Sequence, residues 1–417
     1  MKITHISTSD TNGGAAIAAK RICSSQRQIG LDSKLLVQNN NCMDGNVFST
    51  QNTFLNQLFS LFRTAEDEIA IRLFTNQTRG RFTFPFFGTD ISKHQAIAEA
   101  DIINFHWING GFLSLNSINK LAQLNKPIVW TLHDMWAFTG GCHYNVDCKK
   151  YLTECKNCPS LKFQSATDFS NKIFKQKIDL FSKMNLNIVT CSKWLADEAK
   201  KSFLFKEKNI VSIPNPIDTE LYKPFDKNEA RKNFNLLSDE LVFVAGAMNL
   251  KDERKGFTYL IDAINILVNQ NKLDKDKTTL FIFGRIDENI VSKIPIKVFQ
   301  TGRITNTDEI VKAYNCANLY LAPSLQDNLP NTVIEALACA IPVVAFNTGG
   351  LPDMVDHLQN GYLAQLKSSS DLANGIYYCI KDKENTQKLS DNARKKVLSS
   401  FTPEKVANMY KGFYESL

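Results

Sequence analysis

Two carboxylates eight residues apart stand out in the stretch SLQDNLPNTVIEALACAIPVVAFNTGG (324–350): Asp327 and Glu335. Pro330 suits the first turn of a helix between them, and Asn331 or Thr332 is expected to satisfy its free amides. Such a helix aims unpaired N–H groups and the positive end of its dipole at an anion. Glu335 then lies about one turn inside, suited to accept paired hydrogen bonds from sugar hydroxyls. Asp327 lies in the loop before it, where Asn328 and Leu329 offer backbone amides to a sugar or phosphate. Earlier, KDERKGFTYLIDAI (251–264) sets Arg254 and Lys255 before a helical pattern, with Gly256 permitting a tight entry. Two cations so placed can neutralise a departing diphosphate without a metal.

The N-terminal half carries a second group. WTLHD (130–134) delivers His133 and Asp134 at a strand end, and His106 ends the preceding strand in NFHWINGGF. Two histidines at the ends of adjacent strands favour a functional role over a core one. His106 and Asp134 are read as lining the acceptor side. NGGAA (12–16) places Gly13 and Gly14 between a strand and a helix, where the backbone can approach a phosphate closely. It is not G-x-G-x-x-G, so a dinucleotide fingerprint is absent.

GCHYNVDCKKYLTECKNCP (141–159) holds Cys142, Cys148, Cys155 and Cys158 in the spacing C-x5-C-x6-C-x2-C. Four thiols this close in a reducing compartment point to a structural zinc, with His143 able to replace one ligand; reduced or redox-labile thiols are the alternative. NTFLNQLFSLF (52–62) and RFTFPFFG (81–88) are rich in Phe. They read either as a lipid-facing hairpin or wall for a lipid-linked acceptor, or as a helix and flap packed on their own domain.

These residues must be positioned by strands. KITHIS (2–7), KLLVQ (34–38), DIINFHW (101–107), KPIVWTLH (126–133), NIVTCS (187–192) and NIVSIPN (209–215) read as buried strands, with helical spacing over 14–29 and 113–124. The alternation restarts at LVFVAGAM (241–248), then 279–284, 297–302, 319–324 and 341–346. Strand–helix alternation implies parallel sheets with right-handed crossovers. The fold class is therefore α/β, with two doubly wound Rossmann-like domains facing across a cleft. IPNPIDTELYKP (213–224) separates them, since its prolines can neither continue a helix nor join a central strand. The domains run 1–214, acceptor-binding, and 215–400, donor-binding; residues 401–417 form a helix expected to pack back toward the first.

The chain has 417 residues, 43% apolar and 22% charged, enough for two cores. The net charge of +7 is uneven: residues 1–214 carry 25 Lys and Arg against 17 Asp and Glu, or +8, and the remainder carries 24 against 25, or −1. A basic N-terminal half suits an acceptor phosphate or an anionic membrane face. No basic run interleaved with aromatics suggests nucleic acid. Neither a signal-peptide core nor a stretch of about 18 apolar residues is present, so a cytoplasmic protein, at most peripheral to the membrane, is expected.

The 324–350 stretch resembles the donor-binding motif of glycosyltransferase family 4, in which two acidic residues enclose seven others. The resemblance implies the GT-B architecture and a retaining transfer from a nucleotide-sugar donor, with a UDP- or GDP-sugar favoured, onto a glycan or lipid-linked oligosaccharide. It implies that Glu335 binds the ribose and Asp327 the transferred sugar; Asp327 stands where the family usually has Glu. It also implies that Arg254 and Lys255 meet the diphosphate, that the Gly13–Gly14 loop lies over it, and that His133 contacts the donor sugar. No D-x-D motif stands at the end of a strand to hold Mg²⁺, so no catalytic cofactor is expected. Polysaccharide assembly, such as capsule or O-antigen, is the setting that similar bacterial proteins suggest. A nucleotide-sugar 2-epimerase and a non-catalytic sugar-nucleotide-binding subunit are the rival readings; an epimerase would convert the donor with no acceptor present.

Overall fold

The computed structural model describes every residue except 43, 77, 78, 250 and 251. The chain divides into two compact units, Met1–Pro216 with Pro403–Leu417, and Ile217–Thr402.

The first unit is built on a parallel sheet of β1 (Lys2–Ser9), β2 (Asp32–Asn39), β3 (Val47–Ser49), β4 (Ile102–Phe105), β5 (Ile128–Leu132), β6 (Leu186–Thr190) and β7 (Ile210–Ser212). Its order is β3-β2-β1-β4-β5-β6-β7. The crossovers carry α1 (Gly14–Gln28), α2 (Phe54–Phe74), α3 (Gln95–Glu99), α4 (Leu115–Ala122), α5 (Phe169–Ser182) and α6 (Lys193–Lys201). Short polar side chains start most of them: Thr53, Ser114, Asp168 and Ser192 each accept a first-turn N–H of α2, α4, α5 and α6. β4, β5 and β6 are buried along their whole length, as parallel strands covered on both faces must be. The segment 209–215, read as a buried strand, pairs only over β7 and is half-buried there. It is the edge of the sheet, and Pro214 ends it because proline has no N–H for a ladder.

The second unit repeats the plan with β8 (Leu241–Asn249), β9 (Thr278–Arg285), β10 (Lys297–Gly302), β11 (Leu319–Ala322), β12 (Val343–Phe346) and β13 (Gly361–Ala364), ordered β10-β9-β8-β11-β12-β13. Its helices are α7 (Lys227–Lys232), α8 (Phe257–Asn269), α9 (Glu288–Val291), α10 (Thr307–Asn315), α11 (Asn331–Ala338), α12 (Leu351–Met354), α13 (Ser369–Ile380) and α14 (Lys383–Ser400). In both sheets the strand order reverses once, between β1 and β4 and between β8 and β11. In open α/β sheets, ligands bind at the carboxyl ends of the strands beside such a reversal.

The terminal helix α15 (Pro403–Glu415) belongs to the first unit and packs on α1. Its tyrosines reach a polar layer under the sheet: the Tyr414 hydroxyl accepts from Asn104 Nδ2 at 2.8 Å and from Gln26 Nε2 at 3.2 Å. The Tyr410 hydroxyl lies 3.3 Å from Thr131 Oγ1. Tyr414→Phe strands two buried amide donors, and a buried unpaired donor costs ~1–3 kcal/mol. All four tryptophans (107, 130, 136 and 194) lie in the first unit, so their fluorescence during urea unfolding reads this loss directly. An unchanged midpoint would show that α15 is held by apolar packing alone.

Candidate active site

In the second unit, the cation loop and the acidic loop clasp each other. Lys255 Nζ lies 2.6 Å from Asp327 Oδ2. Arg254 donates to the Gln326 carbonyl at 2.9 Å and pairs with Asp252 at 2.8 Å. The Leu325 amide returns a bond of 2.7 Å to the Arg254 carbonyl. Gly256 (φ +62°) makes the approach possible: a Cβ there would stand 2.0 Å from the Pro323 carbonyl oxygen. Gly349 (φ +56°) does the same one strand along, where a Cβ would meet the Asp327 carbonyl oxygen at 2.0 Å. These loops follow β8, β11 and β12, neighbours in the sheet. Burial raises the cost of charge on Asp327, yet Lys255 and Arg254, with the Asn328 amide, hold its carboxyl below the ordinary value.

The helix after Asp327 is α11, and Glu335 is its fifth residue, buried. The cap differs from expectation. The N-cap is Pro330 and no cap side chain accepts a first-turn amide, because Asn331 and Thr332 lie within the helix itself. Glu335 Oε2 accepts the Tyr314 hydroxyl at 2.8 Å. Tyr314, buried in α10, is a site residue that the sequence reading missed; a tyrosine on the preceding helix gives no signal of facing a particular carboxylate. Asn328 and Leu329 are both buried in the turn between Asp327 and α11.

In the first unit, His133 and His106 meet, with a third histidine that the sequence reading also missed. His133 Nε2 lies 2.9 Å from His106 Nδ1, His106 Nε2 lies 2.8 Å from His5 Nδ1, and His5 Nε2 lies 2.8 Å from Gln26 Oε1. Burial pushes His5 and His133 down to about 4 and His106 well below its ordinary value, so all three are neutral at pH 7. Period-two alternation along β1 could have placed His5 on one face of the strand, but nothing local marks its partners. Asp134 turns elsewhere: its Oδ2 lies 2.6 Å from His143 Nδ1, and its Oδ1 accepts the Trp136 amide at 2.9 Å. Gly13 is the N-cap of α1 (φ +104°) with open space above it, and Gly14 is the first residue of the helix.

The cysteine loop differs from its reading in one ligand. His143 is held by Asp134 and by Thr83 Oγ1, 2.9 Å from Nε2, so both ring nitrogens are committed away from the thiols. Cys142 and Cys158 bring their sulfurs to 4.0 Å. Among the described residues, no three His, Cys, Asp or Glu side chains are grouped as a metal site requires. Beneath the loop, fully buried Lys177 donates to the carbonyls of Trp136 and Thr139 at 2.5 and 3.0 Å, and burial brings its ammonium down to about 7. The Phe-rich region is not a hairpin. Residues 54–74 are one helix, while Phe82 and Phe84 are buried and Phe86 and Phe87 exposed.

The profile of Glycosyltransferase Family 4 matches residues 13–221, half of the chain, and that of Glycosyl transferases group 1 matches residues 239–382. The chain belongs to glycosyltransferase family 4. An uncharacterized glycosyltransferase of Haemophilus influenzae is 29% identical over 234 residues, 54% of this chain and 62% of that protein. The putative colanic acid biosynthesis glycosyl transferase WcaC of Escherichia coli K12 is 24% identical over 261 residues, 58% of this chain and 59% of its own. The matches thus span under two thirds of these relatives' length. The crystal structure of Anabaena HepE with UDP-glucose matches over 100% of both chains, with a TM-score of 0.64 and 18% identity. That likeness gives the GT-B fold. Within this family 4 chain, Arg254, Lys255, Asp327 and Glu335 all lie in the second unit, and His106, His133, Asp134, Gly13 and Gly14 in the first.

Proposed function

We propose that this chain is a retaining glycosyltransferase that moves a sugar from a nucleotide-sugar donor to a glycan or lipid-linked acceptor. The Lys255–Asp327 clasp at the start of α11 carries the reading. In this reading Lys255 would meet a leaving diphosphate and Asp327 the hydroxyls of the sugar, beside the N-terminal end of α11. Glu335, one turn further in, would take the ribose hydroxyls. No D-x-D motif follows a strand in the sequence, so the diphosphate charge falls to Arg254, Lys255 and the amides. HepE was solved with UDP-glucose, which favours a UDP-sugar as the donor to test first. A thermal-shift series against UDP-, GDP-, ADP- and TDP-sugars reads the choice, because a ligand bound only by the folded state stabilises it by RT ln(1 + [L]/Kd). A rise with one base and release of its diphosphate in the presence of an acceptor is expected. No shift with any of the four at millimolar concentration would remove the donor site.

The lipid-linked form of the acceptor is supported by α2. Over its first turns Phe54, Leu55, Leu58, Phe59, Leu61 and Phe62 are all exposed, Phe54 by 77% and Leu61 by 69%, on the unit that carries the excess of basic residues. An exposed apolar helix end on a basic unit suits the interface of an anionic membrane. Among the described residues no helix is long and apolar enough to cross a membrane, so the contact proposed is peripheral. The chain should float with vesicles containing anionic lipid, and Phe59→Asp with Phe62→Asp should leave it in the soluble fraction; equal flotation of both would refute an α2 contact.

Zinc in the cysteine loop is likewise proposed, with Cys142, Cys148, Cys155 and Cys158 as ligands. The 4.0 Å Cys142–Cys158 separation is near the ~3.8 Å edge of a tetrahedral thiolate site, and Cys148 and Cys155 would have to close on it. Metal analysis of untagged protein is expected to find one zinc per chain, and a content well below that would discard it.

A further inference from the structure

The three neutral imidazoles form a directed chain. Each ring of a neutral histidine has one N–H and one lone pair, so a hydrogen-bonded row of rings has a single sense, fixed by whatever ends it. The inner end here is Gln26 on α1. Its Oε1 also takes the Ser33 hydroxyl at 3.1 Å, and its Nε2 donates to Tyr414 at 3.2 Å. With the amide oxygen facing His5, His5 must carry its proton on Nε2. His5 Nδ1 is then an acceptor, so His106 carries its proton on Nε2, and His133 does likewise. The outer end is His133 Nδ1, left as a lone pair. Among its neighbours there is the Cys191 thiol, with Sγ 3.5 Å away, a weaker donor than a hydroxyl.

We infer that Gln26 and His5, fully buried on α1 and β1, are positioning residues that hold His133 in its Nε2–H tautomer and present Nδ1 as an acceptor for a substrate hydroxyl. The inference rests on the glycosyl-transfer reading for the identity of the hydroxyl, but not for the tautomer. Charge has no part in it: burial keeps the row neutral, so His133 receives a hydrogen bond and does not act as a strong base. His5 and His106 bury no charge and touch no solvent, and their use is to transmit the orientation of one amide across three rings. A histidine conserved in tautomer by a second histidine costs less than one held by a carboxylate, because no buried anion is needed.

The test is ¹⁵N–¹H correlation of the histidine rings in the full chain at pH 7, with signals assigned by single substitutions. His5, His106 and His133 are each expected as neutral Nε2–H rings. Gln26→Met, which removes the anchor while keeping the length, should turn the three into tautomer mixtures and lower kcat about 10-fold with KM for the donor little changed. Gln26→Glu keeps an oxygen facing His5 and should restore the Nε2–H signature. A Nδ1–H ring or an imidazolium at His133 in the unaltered protein overturns the inference, as does a pure Nε2–H signature in Gln26→Met. Should no transfer be found with any donor, the ring signals still decide the tautomer, and only the identity of the hydroxyl falls with the transferase reading. If Gln26→Met fails to fold, His5→Leu, which cuts His106 off from Gln26, supplies the same comparison: His106 and His133 should become tautomer mixtures, and pure Nε2–H signals from both would overturn the inference.

Discussion

Lys255→Ala is expected to cut sugar transfer by about 10²–10³-fold in kcat, the usual consequence of removing one preorganised stabiliser of developing charge. The amine lies 2.6 Å from Asp327, and both side chains are largely buried, 22% and 11% exposed. Without the lysine, Asp327 keeps the Asn328 amide at 3.0 Å and the field of Arg254. The loss of stability should therefore be about 1–2 kcal/mol, below the ~3–5 kcal/mol of a fully buried broken pair. Activity and stability can be separated by adding Asp327→Asn: the double variant should regain most of the melting temperature and none of the turnover. Glu335→Gln completes the set. It still accepts the Tyr314 hydroxyl, so the fold is kept, while the charged partner proposed for the ribose hydroxyls is lost; nucleotide affinity should fall by ~1.5–3 kcal/mol, read as Kd by calorimetry. Wild-type turnover in Lys255→Ala, or wild-type nucleotide affinity in Glu335→Gln, would sink the assignment of that residue.

Those residues were legible because their chemistry is local. Asp327, Pro330 and Glu335 fall within nine residues, and the Arg254–Lys255–Gly256 turn is three consecutive positions, so strand ends and helix starts alone predict where these residues lie in the fold. The strands themselves were legible for the same reason: short apolar runs such as 128–132 and 343–346 need no distant partner to be recognised. What could not be read is whatever depends on distant pairing. Tyr314 reaches Glu335 across 21 residues, and Gln26 meets Tyr414 across 388. The edge strands β3 and β13 are only three and four residues long, too short for any periodicity to show. The cap of α11 was misread because Asn331 is a good cap by type, and only the backbone shows that the helix has already begun at that residue.

Acidification should destabilise the first unit from pH 6.5 downward, starting above the range in which ordinary carboxylates protonate. His5 and His133 have folded values near 4 against an ordinary value of 6.5, with burial the main cause, and His106 is lowered further in the same direction. Above pH 6.5 neither state binds a proton there and stability is independent of them. Below 6.5 the unfolded chain takes protons that the folded unit refuses, so stability falls with each step down, by ~1.4 kcal/mol per pH unit for each ring, until the folded rings titrate near 4. Each of His5 and His133 thus accounts for ~3 kcal/mol across that window. Two such losses, ~6 kcal/mol together, match the whole stability of a domain at the low end of the usual ~5–15 kcal/mol. Urea titrations followed by tryptophan fluorescence report the first unit alone, since every tryptophan lies in it. Between pH 6.5 and 4.5 the midpoint should fall steeply and by more than one ring can explain. In His5→Gln the slope should drop by about one proton. A flat profile over that range would mean the row opens to water and titrates as exposed histidines do, and the neutral chain of imidazoles would have to be abandoned.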